Sequence, residues 1–436
     1  MKNRDFLSPF TRKKTNDAKS LCESPALSNK GNPSPFKIQD QEKPLDLVVI
    51  DDVFPCPYSA FRLEEFMQLL RTFDNMRIYC NGTSLHLITK ETNHDIICAF
   101  QEKYPSFSNK VVEWQGFDVA PSVQAKLAYF CFLHNVYYSL ESIEQQRIPF
   151  VFELYPGGGF ALGNDESDRM LRRVTCSPYF RKVIVSQKIT RDYLIENKFC
   201  KASKIETVFG VVTPSERFRD FNDNSVRYGI DKDRLDICFV AMRYTPLGED
   251  KGYDIFIQVA KELCKKHDNI YFHVVGSFDE TVIDVSDIRE HISFYGVRPM
   301  DWFDSFYQDK DIILSPNTHG KIQHGAFDGF PTGCCIDAGL REVAIFCTDD
   351  LHQNDGYFVD KAEMMIVEHN VADIVHKIDY YYESPDELRR MSTRGRAKIK
   401  QLYSLEAQLE PRIQILKQEI ESSVAKKKDK RPDRHS

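Results

Sequence analysis

From residue 45 onward, short runs of apolar residues alternate with longer stretches of mixed character. Continuous short apolar runs are typical of parallel strands that are buried on both faces of a sheet. The predicted strands span residues 45–50, 76–80, 111–114, 149–154, 182–186, 205–212, 235–240, 270–275, 294–297, 311–314 and 343–347. The predicted helices span residues 123–146, 189–197, 253–265, 334–340 and 402–420, with one more that begins after Ser59. Strands that alternate with helices in this way indicate an α/β fold with parallel sheets.

A polar stretch at residues 213–234 divides these strands into two series. Because a chain of 436 residues is too long for one ordinary core, we predict two doubly wound domains. Ligands of such sheets bind at the carboxyl ends of the strands. Residues 1–44 are polar and rich in Ser, Pro, Asn and Lys, so we expect a disordered extension there.

Composition narrows the class of protein. With 42% apolar and 28% charged residues the chain has a globular composition, and its net charge of −7 argues against a general nucleic-acid binder. The twelve cysteines lack CxxC spacing and are interpreted as reduced thiols, with Cys334 and Cys335 as packing residues rather than a redox pair. The basic start of the chain lacks the apolar segment of a secretory signal, and the longest apolar run, at residues 125–140, is too short to span a membrane. We therefore expect a cytoplasmic protein, with contact at the inner face of the membrane left open.

The segment 325–350 combines a loop, a short helix and a buried strand. The loop contains Asp328, Gly329, Phe330, Pro331, Thr332 and Gly333, and its Gly and Pro content is typical of a turn. One carboxylate lies in the loop, at Asp328, and a second lies on the helix, at Asp337. Between them, free N–H groups at the start of the helix can bind an anion. This combination suits a ligand with hydroxyl groups at one end and phosphate at the other.

The same segment resembles the sugar-donor site of the GT-B glycosyltransferases, especially the retaining group called glycosyltransferase family 4. That family has Glu, seven residues and Glu, commonly with Gly-Phe-Pro or Gly-Phe-Gly after the first Glu. This chain differs because both acids are Asp and eight residues separate Asp328 from Asp337. The resemblance implies that Asp328 contacts hydroxyls of the donated sugar and that Asp337 contacts the ribose.

A second match to the family is the strand end at Arg243 followed by Lys251 at a helix start. In the family this Arg and Lys hold the nucleotide diphosphate. A guanidinium and an ammonium stabilise the negative charge that develops on a diphosphate leaving group, without a metal ion. Taken alone, a surface Arg and Lys would be an equally good interpretation, and their order upstream of Asp328 favours the site.

In the first half, Gly157, Gly158 and Gly159 directly follow a predicted strand. Three glycines permit positive φ and close approach of the backbone to a phosphate or sugar, although a plain flexible turn is the alternative. Many members of the family carry an important His near this position, where this chain has Tyr155. His134 lies within an apolar helical pattern, so we interpret it as a core or groove residue rather than a catalyst.

Other polar residues leave two interpretations open. His319, Lys321 and His324 lie in the loop before Asp328 and could line the donor pocket or be ordinary loop residues. Arg62, on the helix that follows Ser59, could contact acceptor or phosphate, or form a structural salt bridge.

The spellings Asp231-Lys232-Asp233 and Asp309-Lys310-Asp311 match the DxD motif of metal-dependent GT-A transferases. They lack the flanking features of that motif, so we predict charged loops, no metal and no cofactor.

The resemblance implies a GT-B architecture, an α/β fold of two Rossmann-like doubly wound domains facing a central cleft. The predicted boundaries are an N-terminal extension at 1–44, an acceptor domain at 45–215, a linker at 216–234, a sugar-donor domain at 235–400, a helix returning to the first domain at 401–422 and a disordered basic tail at 423–436. Arg243, Lys251 and Asp328 are the predicted catalytic residues. The predicted substrate-binding residues are Asp337, Gly329, Phe330, Pro331, Thr332, Gly333, Gly157, Gly158, Gly159, Arg62 and His324.

The implied function is metal-independent transfer of a hexosyl group, with retention, from a nucleotide-sugar to a glycan or lipid-linked acceptor. Bacterial surface polysaccharide synthesis is a common role in the family, and a monomer or homodimer is expected. Two alternatives remain. A sugar-nucleotide epimerase would need acid-base groups that the sequence does not reveal. A non-catalytic glycan- or protein-binding GT-B domain is favoured by the missing first-domain His and by the two Asp residues in place of Glu, but it would have little reason to keep Arg243 and Lys251.

Overall fold

The computed structural model describes residues 44–119, 123–219 and 225–428. The extension predicted at 1–44 lies outside these ranges except for its last residue, and so does the tail from 429 onward. Two parallel sheets with helices on their faces confirm the predicted α/β class.

The first sheet has seven strands within the described ranges, in the order β3-β2-β1-β4-β5-β6-β7. The strands are β1 Leu45–Asp51, β2 Met76–Cys80, β3 Val111–Glu113, β4 Ala125–Cys131, β5 Phe150–Leu154, β6 Phe180–Val185 and β7 Ile205–Thr207. The helices of this half are α1 Ala60–Thr72, α2 Asn93–Lys103, α3 Leu133–Gln145, α4 Asp165–Thr175 and α5 Lys188–Glu196. Neighbouring strands of the sheet pair in parallel, as the buried apolar runs predict.

The second sheet has six strands in the described part of the chain, in the order β10-β9-β8-β11-β12-β13. They are β8 Leu235–Ala241, β9 Ile270–Gly276, β10 Ile292–Phe294, β11 Ile312–Ser315, β12 Ala344–Thr348 and β13 Met365–Val367. The helices are α6 Tyr253–Cys264, α7 Trp302–Phe306, α8 Gly333–Leu340, α9 Val371–Tyr382, α10 Pro385–Tyr403 and α11 Leu405–Lys428. Both sheets are doubly wound, so each has a point where the strand order reverses, between β1 and β4 and between β8 and β11.

The helix predicted at 123–146 is wrong in its first half. Residues Ala125–Cys131 form strand β4, which pairs with β1 on one side and β5 on the other. Helix α3 begins only at Leu133, after Phe132 takes a positive φ of 74°. No Gly or Pro separates the strand from the helix, so their apolar residues merge into one run of helical length.

The last helix packs against the first sheet. Leu416 and Ile420 of α11 belong to the apolar cluster that contains Leu47 and Leu127 of strands β1 and β4. The helix continues past the boundary predicted at 422. In the described residues, no helix is both long and apolar enough to cross a membrane.

Candidate active site

The reversal point of the second sheet gathers polar residues that follow β8 and β11. Arg243 comes just after β8, and Asn317 comes just after β11. Gly252 precedes helix α6 with a φ of +70°, and a Cβ there would lie 1.9 Å from the carbonyl oxygen of Pro316. Only glycine fits this close approach, and it fixes Lys251 against the loop that follows β11.

Lys251 and Asp328 form the central contact of this site. The Lys251 Nζ lies 2.7 and 2.8 Å from the two carboxylate oxygens of Asp328. Asn317 Nδ2 donates to the same carboxylate at 2.5 Å. Burial lowers the pKa of Lys251, but the carboxylates of Asp328 and Asp250 outweigh it, so the net direction is upward and the ammonium stays charged.

Asp328 also borders a pocket at the carboxyl ends of β11 and β12. Gln353 Nε2 donates to the main-chain oxygen of Asp328 at 3.1 Å and so helps to fix the position of this loop. The pocket is lined by Ser315, Asn317, Thr318, His319, Phe327, Asp328, Gly329, Phe330, Pro331, Thr332, Cys347, Thr348, Asp349, Asp350, Leu351 and Gln353. Of the predicted loop residues, Gly329, Phe330, Pro331 and Thr332 line this pocket and Gly333 does not. Thr332 precedes helix α8 with extended backbone. Free N–H groups at that helix start can bind an anion.

Arg243 is exposed and turned toward main-chain oxygens. Its Nη1 donates to Pro246 O at 2.8 Å and its Nε to Ser277 O at 3.2 Å. Because neither partner is a carboxylate, the positive charge of the guanidinium is not neutralised by these contacts. The group can therefore still pair with an anionic ligand.

Asp337 is placed differently from the other predicted residues. Its Oδ1 lies 3.0 Å from Arg341 Nη1 and 3.1 Å from Arg217 Nε, and the residue is not part of the pocket lining. Burial raises the pKa of Asp337, and the two guanidinium groups oppose that effect. The predicted ribose contact remains a prediction.

The glycines of the first half form a tight turn. Phe160 N donates to Gly157 O at 2.9 Å, and the two central residues, Gly158 and Gly159, have φ of 54° and 90°. Positive φ at both central positions is the geometry of a type I′ turn. The turn leads directly to the loop that carries Asp328, since Leu162 N donates to Gly325 O at 2.9 Å.

His324 lies at the same junction between the two halves. It is exposed, and its Nε2 lies 3.5 Å from where a Cβ on Gly163 would be. It does not line the pocket, whereas His319 does and has Asp350 at 4.0 Å.

Arg62 has the salt-bridge arrangement, the second of its two predicted alternatives. Its Nη1 lies 3.1 Å from Asp51 and 2.5 Å from Asp52, and only 10% of its side chain is exposed. A direct contact with substrate would have to compete with both carboxylates.

Tyr155, at the position where the family His was expected, is buried in a separate network. Arg412 Nη2 donates to its hydroxyl at 3.1 Å and to Glu153 at 2.6 Å. The Tyr155 side chain is therefore bound to the last helix and does not reach the pocket.

In the ranges that the structure describes, no group of three or more His, Cys, Asp or Glu side chains is arranged to hold a metal ion. In the first DxD spelling, Asp231 accepts a hydrogen bond from Arg227 N at 3.0 Å. In the second, Asp309 pairs with Lys310, and Asp311 with Lys232 at 2.8 Å. Both DxD sequences thus have Asp side chains that are paired within the protein.

Sequence reasoning missed three residues that fix the Asp328 loop. Two are Asn317 and Gln353, and the third is Gln187 of the first half, whose Nε2 donates to Phe330 O at 3.2 Å. Neutral amides in loops have no motif of their own. Only Gln187 had a usable signal, because it directly follows the strand predicted at residues 182–186.

A comparison with protein families finds a match in the second half of the chain. Residues 220–398 match the family described as glycosyl transferases group 1. The matched region holds β8, the pocket and the residues Arg243, Lys251, Asp328 and Asp337. A comparison with curated protein sequences found no match.

Solved structures share the fold over most of the chain. A glycosyltransferase from Rickettsia africae ESF-5 is 15% identical with a TM-score of 0.57, covering 87% of this chain and 99% of its own. HepE of Anabaena, solved with UDP and glucose, is 13% identical with a TM-score of 0.62, covering 86% and 100%. Sucrose-phosphate synthase from Thermosynechococcus elongatus is 12% identical with a TM-score of 0.59, covering 86% and 98%. At these identities the likeness establishes the two-domain GT-B fold.

Proposed function

We propose that this chain, a glycosyltransferase of the GT-B fold, transfers a hexosyl group from a nucleotide-sugar to a glycan or lipid-linked acceptor with retention of anomeric configuration. The observation that carries the proposal is the Lys251–Asp328 pair at the reversal point of the second sheet. It puts a cation for phosphate beside a carboxylate for sugar hydroxyls, at the edge where ligands of such sheets bind. Membership of glycosyltransferase family 4 is part of the same proposal.

In this mechanism the protein itself supplies the groups that stabilise the developing charge and bind the donor. Arg243 and Lys251 stabilise the charge that builds on the diphosphate as the glycosidic bond breaks. Asp328 accepts hydrogen bonds from hydroxyls of the donated sugar, and the N–H groups of Gly329 to Gly333 add further donors for phosphate or sugar oxygens. No metal or other cofactor takes part in the proposed reaction.

The proposed setting is bacterial surface polysaccharide synthesis in the cytoplasm, at the inner face of the membrane, by a monomer or homodimer. The cysteines within the described ranges are free thiols, which suits a reducing compartment. Because HepE of Anabaena has the same fold and was solved with UDP and glucose, UDP-glucose is the first donor to test.

Thermal unfolding with a panel of nucleoside diphosphates, in EDTA, tests the donor site. A ligand that binds only the folded state raises the melting temperature by mass action. We expect one nucleotide to raise it in the wild type and in Lys265→Ala, a control at the far end of helix α6 whose partner is Glu262. The rise should be lost in Arg243→Ala and Lys251→Ala. A chain that shows no shift with any nucleotide at millimolar concentration does not have this site.

Transfer is then measured with nucleotide-sugars of the base that binds. Release of nucleoside diphosphate reports turnover, and the proton coupling of the new anomeric carbon reports stereochemistry. Product of inverted configuration would contradict the retaining proposal while leaving the donor site intact.

A further inference from the structure

The reversal point of the first sheet holds a cluster of charged residues that the proposed reaction does not use. Asp52 follows β1, and His134 lies in the first turn of α3, directly after β4. Both are buried, with 1% and 7% of each residue exposed. The remaining charged members are Asp51 and Arg62.

His134 joins this cluster to the glycine turn. Its Nε2 lies 2.8 Å from Asp52 Oδ2, and its Nδ1 lies 2.8 Å from Gly158 O. A carbonyl oxygen and a carboxylate both accept hydrogen bonds, so each ring nitrogen must donate a hydrogen. His134 is thus an imidazolium whose charge is balanced by Asp52.

The partners of Asp52 agree with an ionised carboxylate. Arg62 Nη1 and Asn135 Nδ2 donate to its Oδ1 at 2.5 and 2.9 Å, while His134 donates to the other oxygen. Burial raises the pKa of Asp52, but the contacts with His134 and Arg62 outweigh it and hold this pKa below its ordinary value. The pair is therefore an oriented cation and anion rather than two neutral groups.

Further contacts hold the turn formed by Gly157 to Phe160 in place. Gly158 O accepts both His134 Nδ1 and the main-chain N–H of His134, the latter at 3.0 Å. On the opposite side, a Cβ on Gly158 would lie 2.3 Å from the ring of Phe132. That ring stacks on His134 and has the Arg62 guanidinium 4.7 Å from its centroid. The turn is thereby fixed from both sides.

Beyond the turn, the contacts lead to the loop that carries Asp328. Phe160 packs edge to face on Phe327 at 5.8 Å, and Leu162 N donates to Gly325 O. Phe327 is buried in the apolar cluster of the first half, and the next residue is Asp328. The path from His134 to Asp328 consists of packed or hydrogen-bonded groups at each step.

We propose that His134, oriented by Asp52, is a positioning residue that holds the glycine turn against the loop carrying Asp328. This inference rests on the proposed function, in which Asp328 contacts the donated sugar. His134 itself does not touch substrate in this account. It fixes the distance between the first half of the chain and the loop that carries Asp328, and small errors in such a distance lower turnover strongly.

Two conservative variants separate the two hydrogen bonds of the ring. In His134→Asn the amide can replace Nδ1 and still donate to Gly158 O, whereas in His134→Gln it can replace Nε2 and still donate to Asp52. We expect His134→Gln to lower kcat about tenfold, the cost of roughly one lost hydrogen bond, with KM for the nucleotide-sugar changed less than about threefold. We expect His134→Asn to retain most of the wild-type kcat. His94→Gln, at an exposed histidine paired with Glu113, is the matched control and should leave both constants unchanged.

Amide hydrogen exchange gives a readout that does not depend on activity. In His134→Gln, peptides covering residues 157–163 and 319–328 should exchange faster than in the wild type, and in His134→Asn they should not. Equal loss of kcat in both variants, in proportion to a loss of melting temperature, would show a purely structural histidine and overturn the inference. Unchanged exchange in His134→Gln would overturn it too. If the wild type transfers no sugar, the proposed function fails, and the exchange data still decide whether His134 holds the turn.

Discussion

The two sheets reverse their strand order at equivalent points, but the charges there are arranged in opposite ways. In the first half, Asp51, Asp52, Arg62 and His134 neutralise one another in the interior. In the second half, Asp328 lines a pocket and 36% of its side chain is exposed, while its partner Lys251 is 12% exposed. One reversal point is a closed structural cluster, and the other leaves a carboxylate accessible to a ligand.

The difference separates two uses of charge in one fold. Buried ions must have partners within the protein because desolvation is costly, so a closed cluster fixes geometry. Partly exposed ions can exchange a partner for a ligand at lower cost. We therefore expect substitutions in the first half to act mainly on stability and position, and those in the second half mainly on binding.

The largest effect is expected where a buried charge loses its ionic partner. Arg412 of α11 pairs with Glu153 of β5, and both are almost fully buried. Arg412→Ala should lower the free energy of unfolding by about 3 to 5 kcal/mol because it leaves a buried carboxylate unpaired. Urea unfolding in a Trp302→Phe background would follow Trp114, in the first half.

The double variant Glu153→Gln with Arg412→Met controls for the loss of packing. Because it removes both charges, it should be less destabilised than Arg412→Ala alone. The opposite order would show that packing of α11, not the ion pair, dominates.

The contact between the halves can be strained at one glycine. Gly325 has a φ of +74°, and a Cβ there would lie 1.7 Å from Leu162 O. Gly356 has a φ of +81° with nothing within 4 Å, so it is a matched control for backbone strain alone. Gly325→Ala should cost about 1 to 3 kcal/mol more than Gly356→Ala, since the loops must move apart. Equal melting temperatures for the two variants would mean that the close approach adds nothing.

A pH effect should arise from Glu65, in the buried network of the first half. Tyr129 OH lies 2.5 Å from Glu65 and 2.7 Å from Glu153. One hydroxyl has one hydrogen, so one of the two carboxyls must be protonated and donate. Burial, followed by the charge of Glu153, raises the pKa of Glu65 to about 8.

The folded state therefore binds a proton that the unfolded chain releases at about pH 4.3. Stability from this group is complete below that pH and falls as pH rises toward 8. The free energy of unfolding of Glu65→Gln, relative to that of the wild type, should rise by more than about 1 kcal/mol between pH 5 and pH 9. Urea unfolding measures this difference. Glu64→Gln, which changes the neighbouring carboxylate that faces Ser215, should show no such trend. A constant difference between wild type and Glu65→Gln would contradict the protonated carboxyl.

The contrast between the two reversal points also separates what could be predicted from the sequence from what could not. The α/β class followed from apolar runs, and the roles predicted for the Asp328 loop and Lys251 followed from the resemblance to a glycosyltransferase family. The cluster of the first half did not, because Asp52 and His134 are 82 positions apart and meet only through sheet order. The apolar pattern around His134 predicted a core or groove residue. Because the same pattern merged strand β4 and helix α3 into one predicted helix, it did not reveal that His134 lies just after the end of a strand. The contact of Asp337 with Arg217 could not be predicted either, because it depends on the packing of distant segments.

The smallest effect is expected for an ion pair that lies in solvent. Lys188 and Asp192 are one turn apart on α5, with side chains 45% and 35% exposed. Such pairs contribute little because water and salt screen them, so Lys188→Ala should leave the free energy of unfolding nearly unchanged. Urea unfolding at low and high salt checks this, with the small difference vanishing at high salt. A loss as large as that of Arg412→Ala would mean that solvent exposure does not separate structural from accessible charges in this protein, and the contrast between the two reversal points would lose its physical basis.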